Sequence, residues 1–136
     1  MQYVSGGEPH LIGDMFCPSL SRDGSSLAAW SSETNGKYAL YSVDGRKLRD
    51  LTEIAPGENP LQWSGDGKSL FVLKEDRSFF DVFRVDVTNR RRSLWKQFSP
   101  AGYSGGTSFV ITADERSYAY SYNLEWDELN VAEGLK

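Results

Sequence analysis

The chain has 136 residues, of which 39% are hydrophobic, so it is long enough for one core and too short for two ordinary domains. Its formal net charge of −4 provides no basic surface on a global count, which argues against nucleic-acid binding. No apolar run approaches the roughly 18 residues that a membrane span needs, and the single cysteine excludes an internal disulfide.

The first half of the chain predicts a short arm followed by a four-stranded unit. Residues 1–15 form the N-terminal arm, with one strand expected at residues 9–12 and no signal peptide. Residues 16–58 form the first unit, whose strands are separated by glycine-containing turns. Asn35-Gly36 and Asp44-Gly45 are the dipeptides most typical of two-residue hairpin loops.

The second unit, residues 59–105, has the clearest strand pattern. Four strands are predicted, at residues 61–64, 69–74, 79–87 and 93–98. Apolar and polar residues alternate with period two along the third of them, and turns separate all four. This pattern predicts an antiparallel meander.

The third unit, residues 106–136, has only three predicted strands, at residues 107–112, 117–122 and 128–132. The strand at residues 9–12 is a candidate for the missing outer strand. Leu11 lies nine residues before Leu20, much as Leu51 lies ten residues before Leu61. The arm therefore occupies the position of a fourth strand in a preceding unit, which would close a ring of units.

An acidic turn recurs between the first and second strands of each unit. Its residues are Asp23-Gly24, Asp66-Gly67 and Asp114, and the aspartates are 43 and 48 residues apart. The carboxylate can accept a hydrogen bond from the backbone two residues on, while glycine takes a positive φ. Glu115 replaces glycine in the third copy, which predicts a turn of another type there.

A repeat of about 40 to 50 residues with roughly four strands is typical of a propeller blade. The sequence therefore predicts an all-β chain of about three four-stranded propeller blades, part of a six-bladed type of propeller. Three blades alone would leave apolar faces open. Two arrangements avoid this: the chain is a fragment of a larger propeller, or a homodimer of two half-rings completes six blades.

The stretch Leu61-Gln62-Trp63-Ser64-Gly65-Asp66-Gly67-Lys68-Ser69-Leu70 resembles the WD40-like repeats of the TolB type. It also looks like the propeller of prolyl-oligopeptidase-like peptidases. The family habit of proline before the aspartate is missing, since Arg22, Gly65 and Ala113 stand there.

The C-terminal part carries a second resemblance. Ser117-Tyr118-Ala119-Tyr120-Ser121-Tyr122 with Glu133-Gly134-Leu135-Lys136 is similar to the end of propellers attached to bacterial Ser/Thr protein kinases. This resemblance implies a bacterial protein. It also implies an extracytoplasmic, periplasmic location if the segment is attached to a membrane-anchored kinase.

One stretch matches a catalytic motif in letters only. Gly102-Tyr103-Ser104-Gly105-Gly106 nearly fits G-x-S-x-G, but that elbow needs a helix after the serine and a histidine later in the chain. The only histidine, His10, lies upstream, so the stretch is interpreted as an inter-blade loop. No catalytic residue, metal site or cofactor is predicted.

Three residues are predicted to contact a ligand or partner. Gln62 and Ser108 are expected near the mouth of the central channel, and Trp126 lies in a predicted acidic turn. The basic run Arg90-Arg91-Arg92 is interpreted as a solvated hairpin.

The function expected from these features is a non-catalytic scaffold that binds a protein or a small ligand, without nucleic-acid binding or membrane insertion. The alternative is an accessory or sensor domain of a larger enzyme, either a bacterial Ser/Thr kinase or a prolyl-oligopeptidase-like peptidase.

Overall fold

A computed structural model describes residues 2–3, 10–11, 15–31 and 34–124, and every regular element within them is a β-strand. The prediction of an all-β chain is confirmed. In the part of the chain described, no helix is long and apolar enough to cross a membrane.

The N-terminal arm contributes two short strands that pair with each other. They are β1 (Gln2–Tyr3) and β2 (His10–Leu11), joined in an antiparallel two-stranded sheet. No other described strand pairs with them. The expected pairing of residues 9–12 with the third unit of a second copy therefore stays a prediction.

Two four-stranded antiparallel meanders follow, each with its strands in chain order. Blade 1 consists of β3 (Phe16–Leu20), β4 (Ser26–Trp30), β5 (Tyr38–Ser42) and β6 (Lys47–Asp50). Blade 2 consists of β7 (Asn59–Trp63), β8 (Ser69–Glu75), β9 (Phe80–Asp86) and β10 (Arg92–Phe98). The four strands predicted in the second unit correspond to β7–β10.

Blade 3 begins with an antiparallel pair, β11 (Ser108–Ile111) and β12 (Tyr118–Ser121). The strand predicted at residues 128–132, like Trp126, lies outside the described residues.

Blade 2 is the middle layer because its second strand is apolar on both faces. Neighbouring side chains of a strand point to opposite faces. Leu70 and Val72 of β8 pack in a core shared with Tyr38 of blade 1. Phe71 and Leu73 pack in the core shared with blade 3. All four of these β8 side chains are at most 4% exposed.

Aromatic rings fill the boundary between blades 2 and 3. Phe80 stacks on Phe98 with centroids 4.9 Å apart, and Phe109 is nearly parallel to Tyr120 at 5.7 Å. Phe98 and Tyr120 connect these two pairs across the boundary at 5.0 Å. Such pairs contribute about 0.5–1.5 kcal/mol each beyond their burial. The ring contacts therefore stabilise the packing of blade 2 against blade 3.

The turn between β7 and β8 shows how the acidic repeat works. Asp66 accepts hydrogen bonds from the Ser64 hydroxyl at 2.6 Å and from the N–H of Lys68 at 3.0 Å. The Ser64 hydroxyl oxygen in turn accepts from the N–H of Ser69 at 3.1 Å. Gly67 has a φ of 73°, a value that glycine adopts without strain.

The turn of blade 1 repeats this arrangement. Asp23 accepts from the Ser21 hydroxyl at 2.7 Å, the Ser25 hydroxyl at 2.7 Å and the Ser25 N–H at 3.0 Å. These bonds, first those from the Ser25 and Ser21 hydroxyls, lower the pKa of Asp23 from 3.8 to about 2. The carboxylate is therefore held in the ionised form that the turn needs.

The prediction of a different turn in blade 3 is wrong. Asp114 accepts from the Thr112 hydroxyl at 2.7 Å and from the N–H of Arg116 at 3.1 Å, as in the other two turns. Glu115 takes the glycine position with a φ of 60°. The aspartate bonds are thus strong enough to hold a residue with a Cβ in the left-handed region. The Glu115 carboxylate also forms an ion pair with Arg84 of β9.

Substitutions at Glu115 can measure this strain. Alanine and glycine both remove the carboxylate, but only alanine keeps a Cβ at positive φ. We expect Glu115→Gly to be more stable than Glu115→Ala by about 1 kcal/mol in urea unfolding. The same two substitutions at Arg116, which has no positive φ, should give the opposite order. An alanine variant at least as stable as the glycine variant at position 115 would contradict this account.

Candidate functional site

The first strands of the three blades lie side by side and are joined through β7. The indole N–H of Trp63 donates to the carbonyl of Ser19 on β3 at 2.9 Å. The Gln62 side chain bonds to Ile111 on β11 twice, donating to its carbonyl and accepting from its N–H, both at 2.8 Å. Because consecutive residues of a strand point in opposite directions, one dipeptide joins both neighbouring blades.

Two of the predicted contact residues fall on these strands. Gln62 is half-buried, and both ends of its amide are bonded to Ile111, which gives it a structural role. Ser108 is exposed at the start of β11, and its hydroxyl has no hydrogen bond within the described residues. The structure therefore brings Gln62 and Ser108 to neighbouring strands without directing them at a common point. Their role as contacts stays a prediction.

The turns of blades 2 and 3 approach closely. A Cβ on Gly65 would lie 2.2 Å from the carbonyl oxygen of Ala113, which is closer than atoms can pack. Glycine is required there because the next turn occupies the space of a side chain. The same boundary carries the ion pair between Arg84 and Glu115.

An ion pair joins the outer part of blade 2 to the connection between blades. Glu58 is 4% exposed, and its carboxylate oxygens accept from the two terminal nitrogens of Arg92, each at 2.5 Å. The Arg92 guanidinium also lies 3.8 Å from the ring centre of Phe83 and donates to the Glu53 carbonyl at 2.9 Å. Burial alone would raise the pKa of Glu58, but the bonds from Arg92 and the Ala55 N–H outweigh it and lower that pKa.

A second arginine fixes the same connection from blade 1. Arg49 on β6 donates to the Val87 carbonyl at 2.5 Å and to the Glu53 carboxylate at 3.2 Å. Residues 51–58 are thus held between β6 and the end of β9. The contacts of Glu53, Glu58, Arg49 and Arg92 are called the outer cluster below.

The outer cluster is not predicted by the sequence, in which the basic run of residues 90–92 indicates a solvated hairpin. Arg91 is exposed, as expected, but Arg92 is half-buried against Glu58. The two partners are 34 residues apart, so no local spacing signals the pair. Glu58 follows a charged strand, Lys47–Asp50, and a connection, so its sequence position does not indicate that it is buried either.

The stretch that resembles a nucleophile elbow is a connection between blades. It follows β10, and β11 comes next rather than a helix. Tyr103 is 6% exposed, and its hydroxyl donates to Glu75 at 3.2 Å. Glu75 also accepts from the Thr107 N–H at 2.8 Å, while the Ser104 hydroxyl donates to the Asn123 carbonyl at 3.0 Å. These bonds anchor the connection to both blades.

A concave region opens beside the outer cluster. It has a volume of about 560 Å³ and is lined by residues 35–38, 50–52 and 54–57. This size lies in the range of small-molecule sites. Among residues 15–31 and 34–124, no three His, Cys, Asp or Glu side chains are grouped as metal ligands would be.

Four-stranded meanders packed face to face, with their first strands side by side, define the chain as a β-propeller segment. It is similar to the crystal structure of TolB from Acinetobacter baumannii, with a TM-score of 0.56 and 18% sequence identity. The similarity covers 93% of this chain and 32% of the TolB chain, so the chain spans about a third of that protein's length. The fold is therefore that of a TolB-like propeller. No family model matches the chain, and neither does any curated protein.

Removing the Gln62 amide should weaken the boundary between blades 2 and 3. Gln62→Ala leaves the Ile111 N–H and carbonyl without partners, which is expected to reduce the free energy of unfolding by about 1–3 kcal/mol. Ser108→Ala is the control, since it removes an exposed hydroxyl and should change stability by less than about 0.5 kcal/mol. Equal stabilities of the two variants in urea unfolding would show that the Gln62 bonds contribute nothing.

Neighbouring arginines provide a matched test of the outer cluster. Arg92→Ala leaves the buried Glu58 carboxylate unpaired and removes the contact with Phe83, so we expect a loss of about 2–4 kcal/mol. Arg91→Ala changes the same charge one residue earlier on an exposed side chain and should cost less than about 0.5 kcal/mol. Thermal or urea unfolding measures both. Similar losses of stability in the two variants would mean that the change in net charge, rather than the loss of the ion pair, destabilises the chain.

Proposed function

We propose that this chain is a non-catalytic, TolB-like propeller scaffold that binds a protein or small-ligand partner. The observation that supports this most is the double attachment of β7, through Trp63 to β3 and through Gln62 to β11. Bonds of this kind fix the blades relative to each other, and loops on a rigid frame are common binding elements.

The connections between second and third strands and the connections between blades lie at one end of the blades. In an antiparallel meander, the loop after the second strand and the loop after the fourth strand emerge at the same end. Residues 34–37, 51–58, 76–79 and 99–107 therefore form a loop end, opposite the acidic turns. The loop end also carries the cavity beside the outer cluster. It is the surface that we propose for partner binding.

Variants at the two ends of the blades test this proposal. Thr52→Glu together with Pro56→Glu changes exposed residues of the loop end, whereas Lys68→Glu makes the same change in net charge at an exposed residue of the turn end. Immobilised wild-type chain and both variants are compared for retention of molecules from the source cells. We expect retention by the wild type and the turn-end variant and loss in the loop-end variant. No retained molecule, or equal retention by both variants, would contradict the proposal.

We also propose that a further blade covers the outward face of blade 3. Val110 on this face is 59% exposed, and Ser108, Ala119 and Ser121 beside it are exposed too. In blades 1 and 2 the corresponding faces are packed against the next blade. A longer propeller chain or a second copy can supply this blade. Sedimentation analysis separates the two sources, because a strict monomer excludes the homodimer.

The second candidate function is an accessory or sensor domain of a larger enzyme, a bacterial Ser/Thr kinase or a prolyl-oligopeptidase-like peptidase. The short coverage of TolB, 32% of its chain, favours a longer parent protein. A transcript that continues from this segment into a kinase or hydrolase domain would support this candidate. A transcript without such a domain would contradict it.

A further inference from the structure

The cavity at the loop end has an apolar floor made of interblade core residues. Tyr38, Leu51 and Ile54 line it, and their side chains are 7%, 2% and 8% exposed. They belong to the core shared by blades 1 and 2, so the floor cannot shift without disturbing that core. Pro56 is exposed on the wall. An apolar group entering this cavity would therefore meet a fixed apolar surface.

The walls of the cavity are held by bonds already present in the fold. On one side, Asn35 and Gly36 have φ values of 53° and 75° and form a tight turn, closed by a bond from the Lys37 N–H to the Thr34 carbonyl at 3.1 Å. On the other side, the Ala55 N–H donates to Glu58 at 2.9 Å, and Glu58 is bound by Arg92. The cavity is therefore formed before any ligand arrives, which reduces the cost of binding.

The rim of the cavity carries more positive than negative charge. Lys47 forms an ion pair with Asp50 at 2.6 Å, so these two charges compensate each other. Lys37 is exposed on the same rim, and its charge, after the bond and the charge of Lys47, helps to lower the pKa of Asp50. Its amino group has no hydrogen bond or ion pair within the described residues. Lys37 and Lys47 together with Asp50 thus leave a net positive charge on the rim beside the apolar floor.

We propose that this cavity binds a small carboxylate with an apolar body, the body resting on Tyr38, Leu51 and Ile54 and the carboxylate facing the Lys37 amino group. The volume of about 560 Å³ fits a small organic acid. The inference rests on the proposed binding function and specifies its ligand class.

A pair of probes with the same body and opposite charge tests the charge preference. Indole-3-acetate and tryptamine are titrated separately into the isotope-labelled 136-residue chain, and the backbone amide signals of Gly36, Thr52 and Gly57 are followed by NMR. We expect saturable shifts of these signals with indole-3-acetate. Tryptamine should bind at least about tenfold more weakly, because Lys37 repels its ammonium group.

Two variants and a control make the test specific. Lys37→Glu should reverse the preference between the two probes, whereas Lys68→Glu, an exposed lysine at the turn end, should leave it unchanged. Ala55→Trp places a ring from an exposed wall position into the cavity and should abolish the shifts of both probes. Well-dispersed spectra of each variant show that it is folded.

Equal binding of acid and amine, no saturable shift at millimolar concentrations, or shifts that persist in Ala55→Trp would each overturn the inference. The proposed scaffold function fails separately, in the retention experiment with the loop-end variant. A partner retained by the loop end together with no response to indole-3-acetate would overturn the ligand class alone.

Discussion

The structure depends on one dipeptide in the first strand of blade 2. Trp63 bonds to the backbone of β3, and Gln62 bonds to the backbone of β11. Both side chains bond to backbone groups of the neighbouring first strands. They therefore fix how each of these strands is positioned along β7, as well as its distance from β7. The two cores on either face of β8 can then pack without relative sliding of the sheets. The outer cluster repeats this attachment farther from the axis, where Arg49 and Arg92 hold the connection between blades 1 and 2.

The acidic turns show which part of the repeat is indispensable. All three turns keep an aspartate that accepts from a hydroxyl two residues earlier and from the N–H two residues later. Glycine is replaced by Glu115 in one copy without any change in these bonds. The carboxylate therefore determines the conformation, and glycine only lowers its cost. The aspartate recurs at the same place in each unit while the residues around it differ. This recurrence makes the repeat visible in the sequence.

Strand pattern and repeat spacing were enough to predict the all-β class, the two complete blades and the loop character of the stretch around Ser104. The contacts between blades could not be predicted in this way. Gln62 is predicted to contact a ligand or partner, but nothing local indicates that its amide bonds to Ile111, 49 residues away. Arg92 and Glu58 are likewise joined only by the packing of the blades. The turn at Glu115 differs from its prediction because the aspartate bonds around it outweigh the strain of a single residue at positive φ.

The proposed binding function depends on a rigid frame with its loops at one end. The frame is rigid only if the blades do not separate in the native state. Hydrogen exchange at the Trp63 indole N–H tests this requirement most directly, because that atom forms the bond between β7 and β3. The account predicts exchange as slow as that of the most protected β8 amides, through global unfolding. Exchange at the rate of a free indole, while the β8 amides stay protected, would show that the blades part in the folded chain and would contradict the account.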